Sequence, residues 1–402
     1  MLYRFEDFAL DPSLYELRKS GERIKLEPQV FDVLAYLVEH SDRLVSKDEI
    51  VERVWGDKFI SDAALNSRLM AARKALGDNG KEQRLIRTQH GRGFRFIGEV
   101  VASEHQGLAA ATGATTANAP EQSPERTQQE VRFCTSRDGV RIAYATMGIG
   151  PVLVKAPNWL THLEYELQNP VWRHWWEDLA RENTVIRFDQ RGSGLSDWDV
   201  PELSFDAWVA DLETVVEAVG VEKFNLLGIS QGGPVAVEYA VRHADKVDKL
   251  ILYGAYVQGR LKRGESPQEL EAVMTLMRQG WGRNNPAYRQ MFTSLFMPGA
   301  SFEEMTWFND LQRISTSGEN AARFQLVGSS IDVLDRAPLV TVPTLVLHAS
   351  GDERVPFSQG RLYASTIPNA RLVALDSRNH LTLRNEPAWP RLLAEVQAFL
   401  NE

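Results

Sequence analysis

The spacing of apolar positions changes several times along the chain, and each change predicts an element. Residues 1 to about 26 alternate apolar and polar in short runs broken at Asp11-Pro12-Ser13 and Ser20-Gly21-Glu22, the pattern of short strands joined by tight turns. The period then lengthens. Val30, Phe31, Val33, Leu34 and Leu37 recur at helical spacing, behind Pro28, whose fixed φ suits a first helical position. A second helix is predicted from Ser46-Lys47-Asp48-Glu49, a capping box in which Ser46 and Glu49 satisfy each other's free amides, to about Trp55-Gly56. A third runs from Ser61-Asp62 to Leu76-Gly77, and Leu85 to Ile97 reads as a hairpin with a glycine-rich basic tip.

At 100° per residue the third helix carries Leu65, Leu69, Ala72 and Leu76 on one core stripe. Its opposite side holds Ser67, Met70, Ala71 and Lys74, with Asn66 and Arg73 on one shoulder and Arg68 on the other. Residues 60 to 98 contain eight lysines and arginines against three acids, in a chain whose net charge is −9. Basic charge concentrated on a narrow helix and a hairpin is what phosphate contact requires, so double-stranded DNA is the expected partner.

With Val54-Trp55-Gly56, Ala71-Ala72-Arg73-Lys74-Ala75-Leu76-Gly77-Asp78, and Arg87-Thr88 ahead of Gly91-Arg92-Gly93-Phe94-Arg95-Phe96 in view, residues 1 to 100 resemble the winged-helix effector domain of OmpR/PhoB-type transcription regulators, in particular the ToxR/CadC-like branch. The resemblance implies that Trp55, Arg68, Arg73 and Thr88 stand at phosphate-contacting positions and that the wing around His90 to Arg92 enters the minor groove. Asn66, Lys74 and Arg87 complete the candidate DNA face. Ala71 stands where PhoB-like members carry a base-reading arginine, which leaves the preferred DNA sequence open. No receiver domain is expected ahead of this one.

Residues 101 to 130 are rich in Ala, Thr and Gln, are poor in large apolar side chains, and read as a flexible tether. Beyond them apolar runs of strand length alternate with helical patterns. Strands are predicted at Val131 to Ser136, Arg141 to Thr146, Pro151 to Lys155, Thr184 to Phe188, Phe224 to Gly228, Lys249 to Tyr253, Thr344 to Ala349 and Arg371 to Leu375. This alternation implies a mainly parallel sheet covered on both faces. Residues 256 to 335 interrupt it with helices, which would form a cap lined by Met274, Met277, Trp281, Phe292, Phe296, Met297, Trp307 and Phe308, most of them serving as cap core.

The candidate chemistry centres on Leu226-Leu227-Gly228-Ile229-Ser230-Gln231-Gly232-Gly233, an apolar strand running through Gly-x-Ser-x-Gly into a helix. A strained turn of this kind exposes a serine hydroxyl and tolerates only small neighbours. Asp352 follows the strand Thr344 to Ala349, and His380 follows Arg371 to Leu375. A serine hydroxyl needs a base to take its proton, and the base needs a partner to fix its tautomer. Ser230 is therefore read as nucleophile, His380 as base and Asp352 as the orienting carboxylate, with oxyanion or ligand contacts from Gln231 and from Asn158 or Trp159.

The serine–acid–histidine order, with the loop Asp189-Gln190-Arg191-Gly192-Ser193-Gly194-Leu195-Ser196, resembles the α/β-hydrolases over residues 131 to 402. The two resemblances together imply the fold class: an N-terminal winged helix (α+β) and a C-terminal α/β-hydrolase fold with a mainly parallel sheet, helices on both faces and a helical cap. Lys155-Ala156-Pro157-Asn158-Trp159 departs from the His-Gly that many members carry in this loop, and Asn379 replaces the glycine before the histidine. Asp189 and Arg191 are read as pinning their own loop, and His162 and His174 as packing or surface histidines.

Cys134 is the one cysteine, which excludes an internal disulfide and a cysteine-based zinc site; no metal or cofactor is expected. The first residues lack the basic-then-apolar pattern of a signal peptide, and no apolar run reaches membrane length, so the expectation is a cytoplasmic protein without membrane contact. Three functions remain open. One is a one-component regulator whose hydrolase-like domain takes a small apolar or aromatic carbonyl or ester ligand as effector and hydrolyses it slowly or not at all. The others are a serine ester or lactone hydrolase that also binds DNA, and a protein-interaction module that uses the cap. A homo-oligomer is compatible with all three.

Overall fold

The computed structural model describes residues 2–12, 16–19, 22–24, 26, 28–55, 62–78, 82–89, 92–98, 100–103 and 129–402, with the side chains of Trp55 and Asn66 outside that set. The tether from residue 104 to residue 128 and His90 also lie outside the described residues. The chain forms two compact units, described separately below.

In the first unit β1 (Leu2–Phe5), β2 (Phe8–Asp11), β3 (Glu16–Lys19) and β4 (Glu22–Ile24) form an antiparallel meander. Its register stacks Tyr3 on Leu10, Leu10 on Leu17 and Leu17 on Ile24, so one face of the sheet carries a continuous apolar row. Three helices follow: α1 (Pro28–Glu39), α2 (Lys47–Trp55) and α3 (Asp62–Ala75). Val30, Phe31, Val33, Leu34 and Leu37 of α1 are buried, as are Leu65, Leu69 and Ala72 of α3 and Leu76 just beyond it. The hairpin is β5 (Ile86–Gln89) with β6 (Gly93–Phe96), and β7 (Val101–Ser103) pairs with β1.

That last pairing corrects the boundary expected at residue 100, because Val101–Ser103 belongs to the sheet of the first unit. The capping box at α2 is also only half formed. Ser46 Oγ accepts from the Glu49 amide at 3.1 Å, but the Glu49 carboxylate accepts from Arg43 Nη1 at 3.0 Å and Tyr36 Oη at 2.8 Å. Those hydrogen bonds, the Arg43 one foremost, hold the Glu49 carboxyl down at about 2. Gly93 has φ of 141°, and a Cβ there would sit 2.1 Å from the Val45 carbonyl oxygen, which bonds the Phe94 amide. A side chain at this position would separate the hairpin from the start of α2.

The second unit contains an eight-stranded sheet. Its elements are β8 (Glu130–Thr135), β9 (Arg141–Met147), β10 (Val152–Ala156), α4 (Leu163–Gln168), α5 (Arg173–Leu179), β11 (Thr184–Phe188), α6 (Phe205–Val219), β12 (Phe224–Ile229), α7 (Gly232–Arg242) and β13 (Val247–Tyr253). After four cap helices, α8 (Pro267–Gly280), α9 (Ala287–Phe296), α10 (Phe302–Ser315) and α11 (Gly318–Ser330), the sheet resumes with β14 (Thr344–Ala349), α12 (Phe357–Thr366), β15 (Ala370–Leu375) and α13 (Ala388–Asn401). The spatial order is β15-β14-β13-β12-β10-β11-β9-β8, with β9 antiparallel to both its neighbours, β11 and β8, and every other pair parallel. β12 and β14 are buried along their whole length, as parallel strands covered on both faces must be. Strand order reverses at β10, and in sheets of this kind the crevice at the carboxyl ends beside such a reversal is where ligands bind.

Candidate active site and candidate nucleic-acid face

β12 ends in the turn that presents Ser230, whose φ is +51°. This is a left-handed conformation that a residue with a side chain adopts only when its surroundings enforce it. The Ser230 amide donates to the Tyr253 carbonyl at 2.9 Å, and its carbonyl accepts from the Gly233 amide at 3.0 Å. The flanking glycines give it room: a Cβ on Gly228 would lie 2.8 Å from Gly233 Cα, and one on Gly232 would lie 2.9 Å from the Ala156 and Pro157 carbonyl oxygens.

Asp352 and His380 arrive from the ends of β14 and β15 and meet Ser230's end of the sheet. His380 Nδ1 lies 2.7 Å from Asp352 Oδ2, with both side chains fully buried. The other Asp352 oxygen accepts from the Arg354 and Val355 amides, each at 2.8 Å. A second imidazole, His348, stands 3.5 Å from Asp352 Oδ2 and places its Nε2 2.9 Å from the Val355 carbonyl. Burial raises the Asp352 carboxyl's pKa. The charge of His380 and the hydrogen bonds from His348, His380 and Val355 outweigh that effect and hold it well below the usual carboxylate range. His380 Nε2 is buried and has no hydrogen-bond partner among the described residues, Ser230 Oγ included. Gly254, with φ of +54°, lies flat against the ring: a Cβ there would approach His380 Cε1 to 3.0 Å.

The expected oxyanion loop follows β10. Leu160 turns it with φ of +59°, and the Trp159 ring lies 5.9 Å from Trp281, 6.0 Å from Phe292 and 5.6 Å from Phe296. Trp159 therefore ties this loop to the cap. Among the described residues the Gln231 amide, at the start of α7, donates to no protein acceptor, which leaves it available to a developing oxyanion. The Gln231 side chain donates to Gln190 Oε1 at 3.0 Å. Asn158 is buried and turns its side-chain amide onto the Trp159 carbonyl at 3.3 Å, and it does not line the cavity.

That cavity lies over Ser230 and is small, about 30 Å³, enough for one or two water molecules. Trp159, Gln231, Tyr256, Phe296, Phe324 and Arg354 are among its walls. Of the eight cap residues, most of them expected to serve as cap core, Phe296 lines the cavity, Met274, Met277, Trp281, Phe292, Met297 and Phe308 are buried in the second unit's core, and Trp307 is half-buried. The lining groups that escaped the sequence reading include Tyr256, Arg260, Arg263, Phe324 and Arg354. Arg354 alone had a signal, its place two residues after Asp352.

The neighbouring loops behave as structural supports. Asp189 accepts from the Leu163 and Leu195 amides, and Arg191 pairs with Asp211 and Asp138. His162 caps α4. His174 is buried, which holds its pKa down near 4, and its Nε2 lies 3.2 Å from the Thr382 carbonyl.

In the first unit Met70 and Lys74 project from α3 into solvent, and Arg87 and Arg92 are exposed on the hairpin. Arg68 is half-buried. Arg73 departs from the expected shoulder position. It is only 5% exposed, and its guanidinium donates to the Ile86 carbonyl at 3.1 and 2.8 Å and to Thr88 Oγ1 at 2.8 Å. A helix turn further back would have left it on the rim. At this position the side chain falls over β5 and is consumed in holding α3 to the hairpin, with Thr88 as its acceptor. Neither a phosphate contact by Arg73 nor the pairing that replaces one is visible in helical spacing alone.

A serine on a strained strand-to-helix turn, an imidazole–carboxylate pair from later strands and a capped parallel sheet define the serine-hydrolase type of α/β protein, here preceded by a winged-helix unit. Residues 167–387 match the model of the alpha/beta hydrolase fold family, and the chain belongs to it. Residues 21–96 match the C-terminal domain of transcriptional regulatory proteins, so a DNA-binding regulator domain is fused to the hydrolase domain. The chain is similar to the bifunctional esterase/perhydrolase DCH of Acinetobacter calcoaceticus, with 27% identity over 62% of this chain and 92% of that one. Its first unit is similar to the transcriptional regulator HilA of Salmonella typhi, with 34% identity over 24% of this chain and 17% of that one. Among solved structures, the esterase RhEst1 from Rhodococcus sp. ECU1013 matches at 26% identity with a TM-score of 0.55, covering 68% of this chain and 98% of that one. No helix among the described residues is long and apolar enough to cross a membrane.

Proposed function

We propose that this chain is a one-component transcription regulator in which a small carbonyl compound, received at Ser230, governs DNA binding by the winged-helix unit. The observation that carries this reading is Ser230 on its left-handed turn, with the His380–Asp352 pair at the same end of the sheet, in the same polypeptide as a winged helix. The ligand's body would lie against Trp159, Phe296 and Phe324, with its carbonyl oxygen toward the Gln231 amide. DNA would be held by Lys74, Arg87 and Arg92, with Arg68 at the edge of α3. A ligand shifts such an equilibrium only by binding one state more tightly than the other.

The test occupies Ser230 covalently. Benzenesulfonyl fluoride forms an Oγ–S bond, releases fluoride and passes the hydroxyl proton to His380. The modified full chain, verified by mass, is compared with untreated protein for affinity to duplex DNA. A change of about 5- to 150-fold is expected for a coupled pair of sites. Equal affinities would end the regulatory reading.

Turnover is the second reading, favoured by the 2.7 Å His380–Asp352 contact together with the unoccupied Nε2 of His380. Attack of Ser230 Oγ on an ester carbonyl would send its proton to Nε2 and then to the leaving alcohol, and water would release the acid. Hydrolysis of p-nitrophenyl acetate that disappears in Ser230→Ala, while DNA binding persists, is the expected signature. Residual hydrolysis in that variant would remove Ser230 from the reaction.

A further inference from the structure

The charge of the chamber was not legible from the motifs that located it. Three guanidinium groups reach its wall, from Arg260, Arg263 and Arg354, and no carboxylate lines it. Their counter-charges do not balance them. Arg260 pairs with Glu265. Among the described residues the Arg354 guanidinium has as partners the amide oxygen of Gln325, at 3.3 Å, and the faces of Trp159 and Phe296, 5.5 and 5.2 Å from its central carbon. Arg263 lies 5.9 Å from the Tyr256 ring, and its Nη1 is buried without any hydrogen-bond acceptor. The carboxylates near them in sequence are engaged elsewhere: Asp352 by His380 and two backbone amides, Glu353 by Arg378 and Glu265 by Arg260.

A buried cation without an acceptor is costly, and an unpaired donor in a low-dielectric chamber is strongly attractive to an anion. Burial first, and repulsion from Arg260 and Arg263 second, push Arg354 down to about 10; burial also lowers Arg263. Burial outweighs the attraction that Asp352 exerts on both groups and Glu265 on Arg263. At about 30 Å³ the chamber has to widen to admit a short carbon skeleton, which the aromatic walls between the arginines and Ser230 would then flank.

We propose that the chamber over Ser230 takes a carboxylate-bearing acyl compound, its anionic end held by Arg263 and Arg354 and its reactive carbonyl directed at Ser230. This narrows the ligand class of the proposed function and rests on Ser230 facing that ligand. Arg263 supplies the unsatisfied donor. Arg354, backed by Trp159 and Phe296, supplies a second cation whose planar fork matches a carboxylate. Glu265 holds Arg260 back as a more distant contributor to the field.

The experiment compares two reagents that differ by one charge, benzenesulfonyl fluoride and 4-carboxybenzenesulfonyl fluoride, on the full chain. The rate of adduct formation at Ser230, read by mass and normalised to each reagent's spontaneous hydrolysis, gives a ratio. The anionic reagent is expected to react at least about tenfold faster, and Arg263→Gln or Arg354→Gln to bring the ratio to about one. The ratio is internally controlled, because the neutral reagent reports the state of the serine itself. A wild-type ratio of one or less, or a ratio unmoved by both substitutions, would overturn the proposal. Arg354→Gln removes packing as well as charge, so Arg263→Gln serves as the second variant. If neither reagent labels Ser230, the nucleophile reading has failed by itself. Calorimetric binding of phenylacetate and phenylacetamide to the same protein then decides the charge question: an anion preference of about tenfold that vanishes in Arg263→Gln upholds it, and equal binding refutes it.

Discussion

Asp352 sits between two imidazoles, and this arrangement determines which nitrogen of His380 can act. With Nδ1 directed at a carboxylate that stays ionised, the proton belongs on Nδ1 and the lone pair on Nε2, the tautomer a base needs. Arg73 is the counterpart in the first unit, a charge spent on structure. Replacing it with Met leaves the Ile86 carbonyl and Thr88 hydroxyl without their donor, and the unit is expected to lose about 2 kcal/mol in urea unfolding. The slope of log DNA affinity against log salt should stay where it was, because no phosphate contact is removed. A slope reduced by one would restore Arg73 to the DNA face. Residue roles were legible wherever backbone geometry dictated them, as at Ser230 between Gly228 and Gly232. They were hidden where two segments distant in sequence converge, as at Arg73 over Ile86 or Arg263 over Tyr256.

At the level of elements the sequence was most informative where period and burial coincide. β11 and β14 begin and end at the residues their apolar runs predict, since a buried strand leaves a single pattern. The half-formed cap of α2 and the extra strand β7 were missed because Arg43 and β1 compete for the same groups. β10 carries a less obvious burden in Lys155, buried with its ammonium 5.5 Å from the Trp176 ring. Burial above all lowers its pKa from 10.5 to about 8. Below that value both folded and unfolded chains hold the proton. Between about pH 8 and 10.5 the unfolded chain binds more protons, so this group makes stability rise with pH across that window. Tyr253 and Tyr256, raised by burial, act in the opposite sense only at higher pH. Chemical denaturation of Lys155→Met is expected to show the rise flattened; an identical pH profile would place the lysine's charge elsewhere.

For the molecule as a whole, the net charge of −9 conceals a basic stretch in the first unit and a basic chamber in the second. Average charge therefore predicts neither partner. Lys74→Ala, Arg87→Ala and Arg92→Ala are each expected to weaken binding to all duplex sequences alike and to lower the salt slope by about one, measured by fluorescence anisotropy across a salt series. A change in sequence preference without a change in slope would move that residue from backbone to base contact. The chamber has a different consequence. A space that admits a water or two is smaller than the acyl compound proposed for it, so under that proposal the walls around Ser230 would have to move apart for entry and again for release. The pace of that opening would limit how fast DNA binding could follow the ligand.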